Sequence, residues 1–458
     1  MSRLVAVSNR VSMPRRGAAP GGLAVGLLAA MRSRGGLWFG WSGEVVDRPA
    51  DVAELTRKDG ITYATMDLSQ QDYEGFYLGF SNGALWPLFH YFVDSLHFSD
   101  QHYDSYQQVN AQYARELLPL LKTDDLIWIH DFHLIPLAEK LRQAGVSQPL
   151  GFFLHVPFPS IEVLRVLPVY GELVKELLAY DVVGFQTQTD LESFLGAVES
   201  IWGVKASQSD GSLVVGDRRV VAAVFPIGVD VDAIQKEAMS SQNTDACKRM
   251  QDSLLGRKLM IGVDRLDYSK GLPERFTAYE RFLQDFPENQ NRITYLQIAP
   301  LSRTDIRAYS QIREELEQAA GRTNGRFADT DWTPIRYLNR NFSHDVLMAF
   351  LRTGRVGLVT PVRDGMNLVA KEFVAAQDPD EPGVLVLSLL AGAARELTEA
   401  VLVNPYDARG MAQAIQQAFS MPRTERRERH QAMMEVLRTN DIHAWYSRFV
   451  QCMEDTRQ

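Results

Sequence analysis

Short runs of apolar and β-branched residues recur along the whole chain, and they constrain its fold more than any other feature. The clearest runs are residues 4–7, 126–129, 150–156, 182–185, 220–225, 259–263, 293–298, 356–360, 384–387 and 401–403. Longer segments with helical periodicity separate most of them. Strands that are apolar on both faces belong to parallel sheets with helices on either side, and their alternation with helices indicates βαβ units. The pattern therefore predicts an α/β protein with doubly wound parallel sheets.

The length of 458 residues favours two domains, because a single hydrophobic core stops growing at about 250–300 residues. Proline and glycine end one strand near residues 225–230, and a polar stretch over residues 240–252 separates it from the next. We predict an N-terminal domain over residues 1–235 and a C-terminal domain over residues 236–435, followed by a final helix. The ligands are expected in the central cleft that the two domains face.

Composition and charge exclude several classes of protein. The net charge of −9 argues against nucleic acid as a partner, because a duplex-binding surface needs a basic excess. No run reaches the ~18 apolar residues of a membrane span, and the first residues predict a strand rather than a secretory signal. Cys247 and Cys452 lie far apart in the sequence, so neither a disulfide framework nor a cysteine zinc site is indicated. We therefore expect a cytoplasmic protein with no membrane partner.

A polar joint follows the apolar run at residues 356–360, and it contains Asp364, Gly365 and Asn367. The backbone N–H groups that open the next helix have no partner inside that helix, so they suit a diphosphate. Asp364 would repel a phosphate and instead suits sugar hydroxyls, while Glu372, two turns into the helix, suits a ribose diol. The alternative is an Asp-Gly turn followed by an ordinary helix.

Two cations, Arg265 and Lys270, follow the apolar run at residues 259–263 and precede another helix. In open α/β sheets, ligands bind at the carboxyl ends of the strands. Arginine offers a planar fork and lysine a mobile point charge, which together suit the two phosphates of a departing nucleoside diphosphate in place of a metal. The alternative is a pair of surface cations neutralised by Asp264 or Asp267.

Histidines and an aspartate stand at the ends of two further apolar strands. They are His130, Asp131 and His133 after one strand and His155 at the end of the other. Burying such groups is costly unless they form hydrogen bonds, which favours a binding role for Asp131 and His155. For His130 and His133 the usual interpretation is a hydrogen-bonded core histidine. A metal-ligand cluster of His130, Asp131 and His133 is the weaker alternative.

The N-terminal region contains a Gly-Gly pair that ends at Gly22, and such a pair at the start of a helix lets the backbone approach a diphosphate. The Gly-x-Gly-x-x-Gly fingerprint, a Walker A motif and a nucleophile elbow do not occur here. Arg10, Tyr77, Trp86 and Arg303 would form an aromatic and cationic wall suited to a sugar phosphate. The alternative is that both aromatic side chains belong to the core.

Several of these segments resemble the trehalose-6-phosphate synthase family, and the resemblance runs almost from end to end. The segments that carry it are Ser8-Asn9-Arg10, Gly21-Gly22-Leu23-Ala24, Leu37-Trp38-Phe39-Gly40-Trp41-Ser42-Gly43, Ala84-Leu85-Trp86-Pro87-Leu88-Phe89-His90, Trp128-Ile129-His130-Asp131, Phe153-Leu154-His155, Asp264-Arg265-Leu266-Asp267-Tyr268-Ser269-Lys270-Gly271 and Arg363-Asp364-Gly365-Met366-Asn367-Leu368. The resemblance implies two Rossmann-like domains of the GT-B type that face a central cleft. It also implies that the C-terminal helix, residues 436–458, crosses back to the first domain.

The resemblance further implies an activity, which is the first step of trehalose biosynthesis. Glucose would pass from a nucleotide-glucose, with UDP-glucose the expected donor, to glucose 6-phosphate. The product, α,α-trehalose 6-phosphate, would form with retention of configuration. Retaining glycosidases use two carboxylates about 5 Å apart, whereas the family implies same-face attack in which the leaving phosphate accepts the acceptor's proton. Neither a cofactor nor a metal is expected.

The family's functional residues carry over by motif. The catalytic residues would be Asp131, His155, Arg265, Lys270 and Asp364. The donor would be bound by Gly22, His155, Arg265, Lys270, Phe342, Asp364, Gly365, Met366, Asn367, Leu368 and Glu372. The acceptor would be bound by Arg10, Tyr77, Trp86, Asp131 and Arg303. The stretches 12–20 and 45–58 match no motif of the family.

Two other functions are compatible with parts of this pattern. A glucosylglycerol-phosphate synthase shares the scaffold and takes glycerol 3-phosphate as acceptor. A catalytically silent sugar-phosphate sensor would bind ligands without turnover, but the intact Arg265, Lys270, Asp364 and Glu372 argue against it.

A homo-oligomer is compatible with the sequence. The base of the donor cannot be read from it, since base recognition falls to backbone groups around residues 340–342.

Overall fold

The computed structural model describes residues 2–11, 27–28, 31, 36–207, 211–301 and 307–457. It contains two sheets of mainly parallel strands with helices between them, so the predicted α/β class is confirmed. The chain divides into two compact units. The first contains the described residues up to Ile227 together with those from Ile442 onward, and the second is Gly228–Asp441. The boundaries drawn from the sequence lie after residues 235 and 435.

The first unit is built on a nine-stranded sheet with the order β3-β4-β2-β1-β5-β6-β7-β9-β8. Its strands are β1 (Leu4–Arg10), β2 (Gly36–Val45), β3 (Glu54–Lys58), β4 (Ile61–Leu68), β5 (Leu126–His130), β6 (Leu150–Phe153), β7 (Val182–Phe185), β8 (Ser212–Val215) and β9 (Arg218–Val224). Only the edge strands β3 and β8 run antiparallel to their neighbours. The strand order reverses between β1 and β5, which is where open α/β sheets bind ligands.

The second unit is built on a six-stranded, fully parallel sheet with the order β12-β11-β10-β13-β14-β15. Its strands are β10 (Lys258–Val263), β11 (Ile293–Ile298), β12 (Ile335–Leu338), β13 (Gly354–Val359), β14 (Val384–Ser388) and β15 (Val401–Val403). This order corresponds to the 3-2-1-4-5-6 arrangement of dinucleotide-binding folds. Its reversal point lies between β10 and β13, the two strands that precede the cationic loop and the polar joint.

Helices connect most of these strands. Within the described residues they are α1 (Gln70–Asp72), α2 (Trp86–Phe89), α3 (Asp100–Leu117), α4 (Leu137–Gln143), α5 (Ile161–Leu164), α6 (Tyr170–Leu177), α7 (Gln188–Trp202), α8 (Val231–Ser240), α9 (Asp245–Asp252), α10 (Leu272–Asp285), α11 (Arg307–Phe327), α12 (His344–Thr353), α13 (Leu368–Ala376), α14 (Ala408–Ser420), α15 (Arg423–Thr439) and α16 (Ile442–Asp455). A π-helix, Tyr73–Leu85, lies between α1 and α2. No helix in the described ranges is both long enough and apolar enough to cross a membrane.

The last helix, α16, packs on the first sheet because two strands carry glycines beneath it. Phe449 of α16 lies with its ring centroid 4.6 Å from that of Trp128 on β5. A Cβ atom on Gly151 or Gly184 would stand only 2.6–2.7 Å from atoms of the Phe449 ring. Side chains at these two positions would therefore push the helix away from the sheet.

The start of α16 differs from the helix predicted over residues 436–458. Residues 436–439 continue α15, and the helical conformation stops at Asn440, where φ is −113° and ψ is 50°. The new helix begins at Ile442. The helical periodicity of the sequence runs through this break, which is why the sequence did not locate it.

Candidate active site

The two loops at the reversal point of the second sheet are joined by an ion pair. The Nζ atom of Lys270, in the loop after β10, lies 2.5 Å from Oδ2 of Asp364, in the loop after β13. Both side chains are largely buried, with 12% and 14% of their surface exposed. Asn367 donates from Nδ2 to the same carboxylate oxygen at 3.0 Å. The sequence singled out all three residues, and the alternative in which Asp264 neutralises Lys270 is wrong.

The conformation of the polar joint is fixed by hydrogen bonds at the start of α13. Asn367 adopts a left-handed conformation with φ 76°, and its Oδ1 atom accepts a hydrogen bond from the Ala370 N–H group at 3.2 Å. The carbonyl of Met366 accepts from the Ala393 N–H group at 2.8 Å. The first N–H groups of α13 lack partners in the preceding turn, so this helix start can receive a diphosphate.

A buried arginine that the sequence did not reveal holds the two loops together. The side chain of Arg275, on α10, is fully buried and pairs with Asp264 at 2.6 Å. Its Nε atom donates to Thr360 Oγ1 at 3.0 Å, and its Nη2 atom donates to the carbonyl of Lys270 at 3.2 Å. An arginine in an amphipathic helix usually faces solvent. No signal in the sequence therefore distinguishes Arg275 from a surface residue.

Two further donor-site predictions fall on the surface of the second unit. Arg265 lies on the loop after β10 with an exposed side chain. Phe342 is half-buried, its ring 5.3 Å from that of Phe350, with the Arg340 guanidinium 4.4 Å from its centroid. The flat face and the nearby cation suit stacking of a nucleotide base.

Glu372 lies in α13 opposite a histidine that the sequence analysis did not consider. His344 Nε2 is 3.8 Å from Glu372 Oε1, and His344 Nδ1 is 2.6 Å from Glu237 Oε2. Burial lowers the pKa of His344, but the two carboxylates outweigh burial and raise that pKa to about 9. His344 is therefore an imidazolium at neutral pH.

At the reversal point of the first sheet, the structure brings Asp131 and His155 together. Asp131 follows β5 and accepts a hydrogen bond at Oδ1 from the His155 N–H group at 3.2 Å. Its backbone has φ 76° and ψ 163°, a region that is essentially restricted to glycine. Such strain in a non-glycine residue concentrates at functional sites, which agrees with the binding role predicted for this residue.

His130 and His155 lie side by side near Asp131, and burial lowers the pKa of both. His130 Nδ1 lies 3.1 Å from His155 Nε2. Burial lowers the pKa of His155 to about 3 and holds the pKa of His130 well below its usual range. His133 instead stacks on Tyr77 with centroids 6.0 Å apart. Within the described ranges, His, Cys, Asp and Glu form no group of three that could hold a metal, so the metal alternative for His130, Asp131 and His133 is not supported.

Two acceptor-site predictions meet at Trp41, which lies in one of the family motifs but had no predicted role in the site. The guanidinium carbon of Arg10 lies 5.7 Å from the Trp41 ring centroid, and the Tyr77 ring lies 5.6 Å from it. Gly43 gives the Arg10 guanidinium its space, since a Cβ atom there would overlap it. An exposed cation and a half-buried tyrosine thus both contact the buried Trp41 ring, and a cation beside an aromatic ring suits a sugar phosphate.

Trp86 sits deeper than Arg10 and Tyr77. Only 5% of its surface is exposed, and its ring lies 4.1 Å from that of His90 and 5.9 Å from that of Phe132. Its burial favours the core alternative, although Phe132 directly follows Asp131. The predictions for Gly22, Arg303 and the stretch 12–20 concern residues outside the described ranges, and they stay predictions.

Comparison with known proteins decides the family. The model of glycosyltransferase family 20 matches residues 8–455 of this chain. The chain belongs to glycosyltransferase family 20. A relative named trehalose-6-phosphate synthase, from Klebsiella pneumoniae, is 48% identical over an alignment of 462 positions, which covers 99% of this chain and 95% of that protein. The family predicted from the motifs is therefore confirmed.

Solved structures agree with this family 20 assignment. A crystal structure of an alpha,alpha-trehalose-phosphate synthase (UDP-forming) from Burkholderia vietnamiensis is 50% identical, with a TM-score of 0.95 over 100% of both chains. A UDP-forming enzyme from Burkholderia xenovorans in complex with glucose-6-phosphate is 47% identical, with a TM-score of 0.95 over 99% of this chain and 100% of that chain. The GT-B fold predicted from the resemblance is confirmed.

Proposed function

We propose that this chain is a retaining glucosyltransferase that moves glucose from UDP-glucose to glucose 6-phosphate, forming α,α-trehalose 6-phosphate and UDP. The observation that carries the proposal is the Lys270–Asp364 pair beside the start of α13, at the reversal point of the second sheet. Relatives of nearly half-identical sequence over the full length bear the corresponding name. Another relative, the UDP-forming enzyme from Burkholderia xenovorans, was solved in complex with glucose-6-phosphate.

The donor is held by residues of the second unit. Lys270, Arg265 and the N–H groups of residues 365–368 bind the diphosphate, and Asp364 accepts hydrogen bonds from glucose hydroxyls. A carboxylate close to a diphosphate would repel it, but the pairing of Asp364 with Lys270 at 2.5 Å offsets that repulsion. Glu372 takes the ribose diol, and Phe342 stacks on the base.

The acceptor is held by residues of the first unit. Arg10 binds the phosphate of glucose 6-phosphate, and Tyr77 packs against the sugar. Asp131 accepts a hydrogen bond from an acceptor hydroxyl. His155 is neutral at physiological pH because burial lowers its pKa to about 3, so it contacts the donor glucose near its 6-hydroxyl without adding charge.

The chemistry is a same-face substitution at the anomeric carbon. The bond from that carbon to the UDP oxygen breaks as the bond to the acceptor oxygen forms, and the acceptor proton passes to the departing phosphate. Charge builds on the diphosphate as it leaves, and Arg265, Lys270 and the start of α13 stabilise it. Removing one such donor costs about 3 kcal/mol, or 10²–10³ in rate. These cations take the role that a metal has in other transferases, so we propose catalysis without one.

A reducing, cytoplasmic location is part of the proposal. It rests on Cys247 and Cys452, which are both free thiols, because oxidising compartments favour disulfides.

The proposal is tested by measuring nucleoside diphosphate release from UDP-, ADP- and GDP-glucose, each with and without glucose 6-phosphate. We expect release that requires glucose 6-phosphate and is fastest with UDP-glucose. A parallel reaction with glycerol 3-phosphate tests the other acceptor. Release only with glycerol 3-phosphate, or ligand binding without release from any donor, would overturn the proposal.

A further inference from the structure

A histidine with two carboxylate partners lies where three helices of the second unit meet. Helices α8, α12 and α13 pack against one another, and each contributes one side chain. His344, the first residue of α12, lies 2.6 Å from Glu237 of α8 and 3.8 Å from Glu372 of α13. The exposed fractions of the three side chains are 28% for His344, 40% for Glu237 and 17% for Glu372.

Two charged residues next to this group in sequence have other partners. Asp345, next to His344 on α12, accepts a hydrogen bond from Ser241 at 2.8 Å. Lys371, next to Glu372 on α13, is buried and pairs with Glu396 at 2.6 Å. The charged groups that face the imidazole are therefore Glu237 and Glu372, which raise its pKa to about 9 against the opposing effect of burial.

The position of His344 in its helix also argues for a role. Cations at a helix N-terminus are disfavoured by the helix dipole, and His344 directly follows the N-cap Ser343. Two carboxylates offset that cost here. One of them, Glu372, stands on the helix whose start is assigned to the diphosphate. His344 also follows Phe342, which is assigned to the base, by two residues.

We propose that His344, as an imidazolium held by Glu237, is a positioning residue that orients the Glu372 carboxylate toward the ribose diol of the nucleotide donor. The inference rests on the donor role of Glu372 in the proposed function. His344 itself touches no substrate. It connects the parts of the site for base, ribose and diphosphate, and it makes donor affinity dependent on the charge of one side chain.

The test compares the Kd of UDP, measured by calorimetry, with the KM values of UDP-glucose and glucose 6-phosphate. The variant H344Q keeps a hydrogen-bonding side chain and removes the charge. We expect the Kd of UDP and the KM of UDP-glucose to rise about tenfold, because the loss of one charge-assisted hydrogen bond weakens binding by about that factor. The KM of glucose 6-phosphate and kcat should stay within about twofold. The matched control is H443Q, at an exposed histidine of α16.

The dependence on pH gives a readout that a merely structural role would not produce. The affinity of the wild type for UDP should fall as the pH rises through about 9, where His344 loses its proton. In E237Q this fall should shift to lower pH, because a carboxylate that raises the pKa of His344 is gone. In H344R the fall should be smaller than in the wild type, since arginine stays charged throughout this range.

The outcomes separate this inference from the proposed function. If H344Q binds UDP like the wild type, with the same alkaline fall, the positioning role is wrong. If E372Q leaves the Kd of UDP unchanged, the ribose assignment itself is wrong. If the wild type binds UDP but releases none from UDP-glucose with glucose 6-phosphate present, the proposed function fails while the calorimetric test of His344 still stands.

Discussion

At the residue scale, Asp131 has a strained backbone at a candidate binding position. Its φ of 76° and ψ of 163° suit only glycine, and such strain costs about 1–3 kcal/mol. Glycine also destabilises the folded state by about 0.5–1 kcal/mol, because its unfolded chain has more conformational entropy. The relief of backbone strain is larger than this cost, so glycine should be the more stable replacement for Asp131. We expect D131G to be about 1 kcal/mol more stable than D131A toward urea, with both variants losing most of their activity. Equal or greater stability of D131A would show that the backbone is unstrained.

A second residue, Glu176 on α6, lowers the free energy of unfolding by an amount that depends on pH. Burial raises its pKa to about 7, with Gln107 donating to it at 2.7 Å. A carboxyl group whose pKa is higher in the folded state loses stability as the pH rises from about 4.5 through about 7. The unfolding free energy of E176Q should therefore exceed that of the wild type at pH 8 and match it near pH 4. A constant difference across this range would contradict the pKa shift.

The sequence predicted residues whose position follows from a strand end, and it missed those that tertiary packing selects. Asp131, His155, Lys270 and Asp364 follow apolar strands, and parallel strands bring their carboxyl ends to one edge. Arg275, Trp41 and His344 carry no such signal, because their neighbours come from distant segments. Their roles appear only when helices and loops have packed.

At the element scale, the same reasoning explains which boundaries were found. Apolar runs located strands that are buried on both faces, as β5 is throughout, but the interior strands β2 and β4 were not among those runs. The edge strand β3 is exposed along its whole length, so it has no apolar run to recognise. The break between α15 and α16 likewise leaves no gap in the helical pattern.

The packing of α16 on the first sheet gives a prediction about one element. Phe449 is fully buried, and it lies against Trp128 and over Gly151 and Gly184. We expect Phe449→Ala to lower the unfolding free energy by about 3–5 kcal/mol, because it leaves a cavity in the core. The matched control is Ser447→Ala, at an exposed position of the same helix. Thermal unfolding with equal midpoints for both variants would show that α16 does not stabilise the unit.

At the scale of the whole molecule, the two units place their candidate site residues in the same way. Each sheet reverses its strand order once among its central strands, and each reversal point is lined by the residues singled out from the sequence. Periodicity predicted the parallel sheets, but the order of the strands is a tertiary property. The family resemblance implied two Rossmann-like domains, and the strand order of the second sheet agrees with that fold.

The proposed function assigns the acceptor to the first unit and the donor to the second. It therefore predicts different kinetic effects for substitutions in the two units. Arg10, over Trp41, is assigned to the acceptor phosphate, so Arg10→Ala should raise the KM of glucose 6-phosphate about 10–100-fold through loss of a charged contact. The KM of UDP-glucose should change less than about twofold. Arg265→Ala should instead lower kcat by about 10²–10³, because it removes charge stabilisation of the departing diphosphate.

Exposed arginines in each unit provide matched controls for these variants. Arg57 lies on the exposed edge strand β3, and Arg281 lies on the outer face of α10, paired with Asp285. Arg57→Ala and Arg281→Ala remove the same charge from the same unit, and both should leave all three kinetic constants unchanged. Arg10→Ala and Arg57→Ala change the net charge of the first unit by the same amount. Any difference between the kinetic constants of these two variants therefore comes from the local contacts of Arg10. Similar losses of affinity for both substrates in Arg10→Ala would mean that the first unit does not bind the acceptor separately.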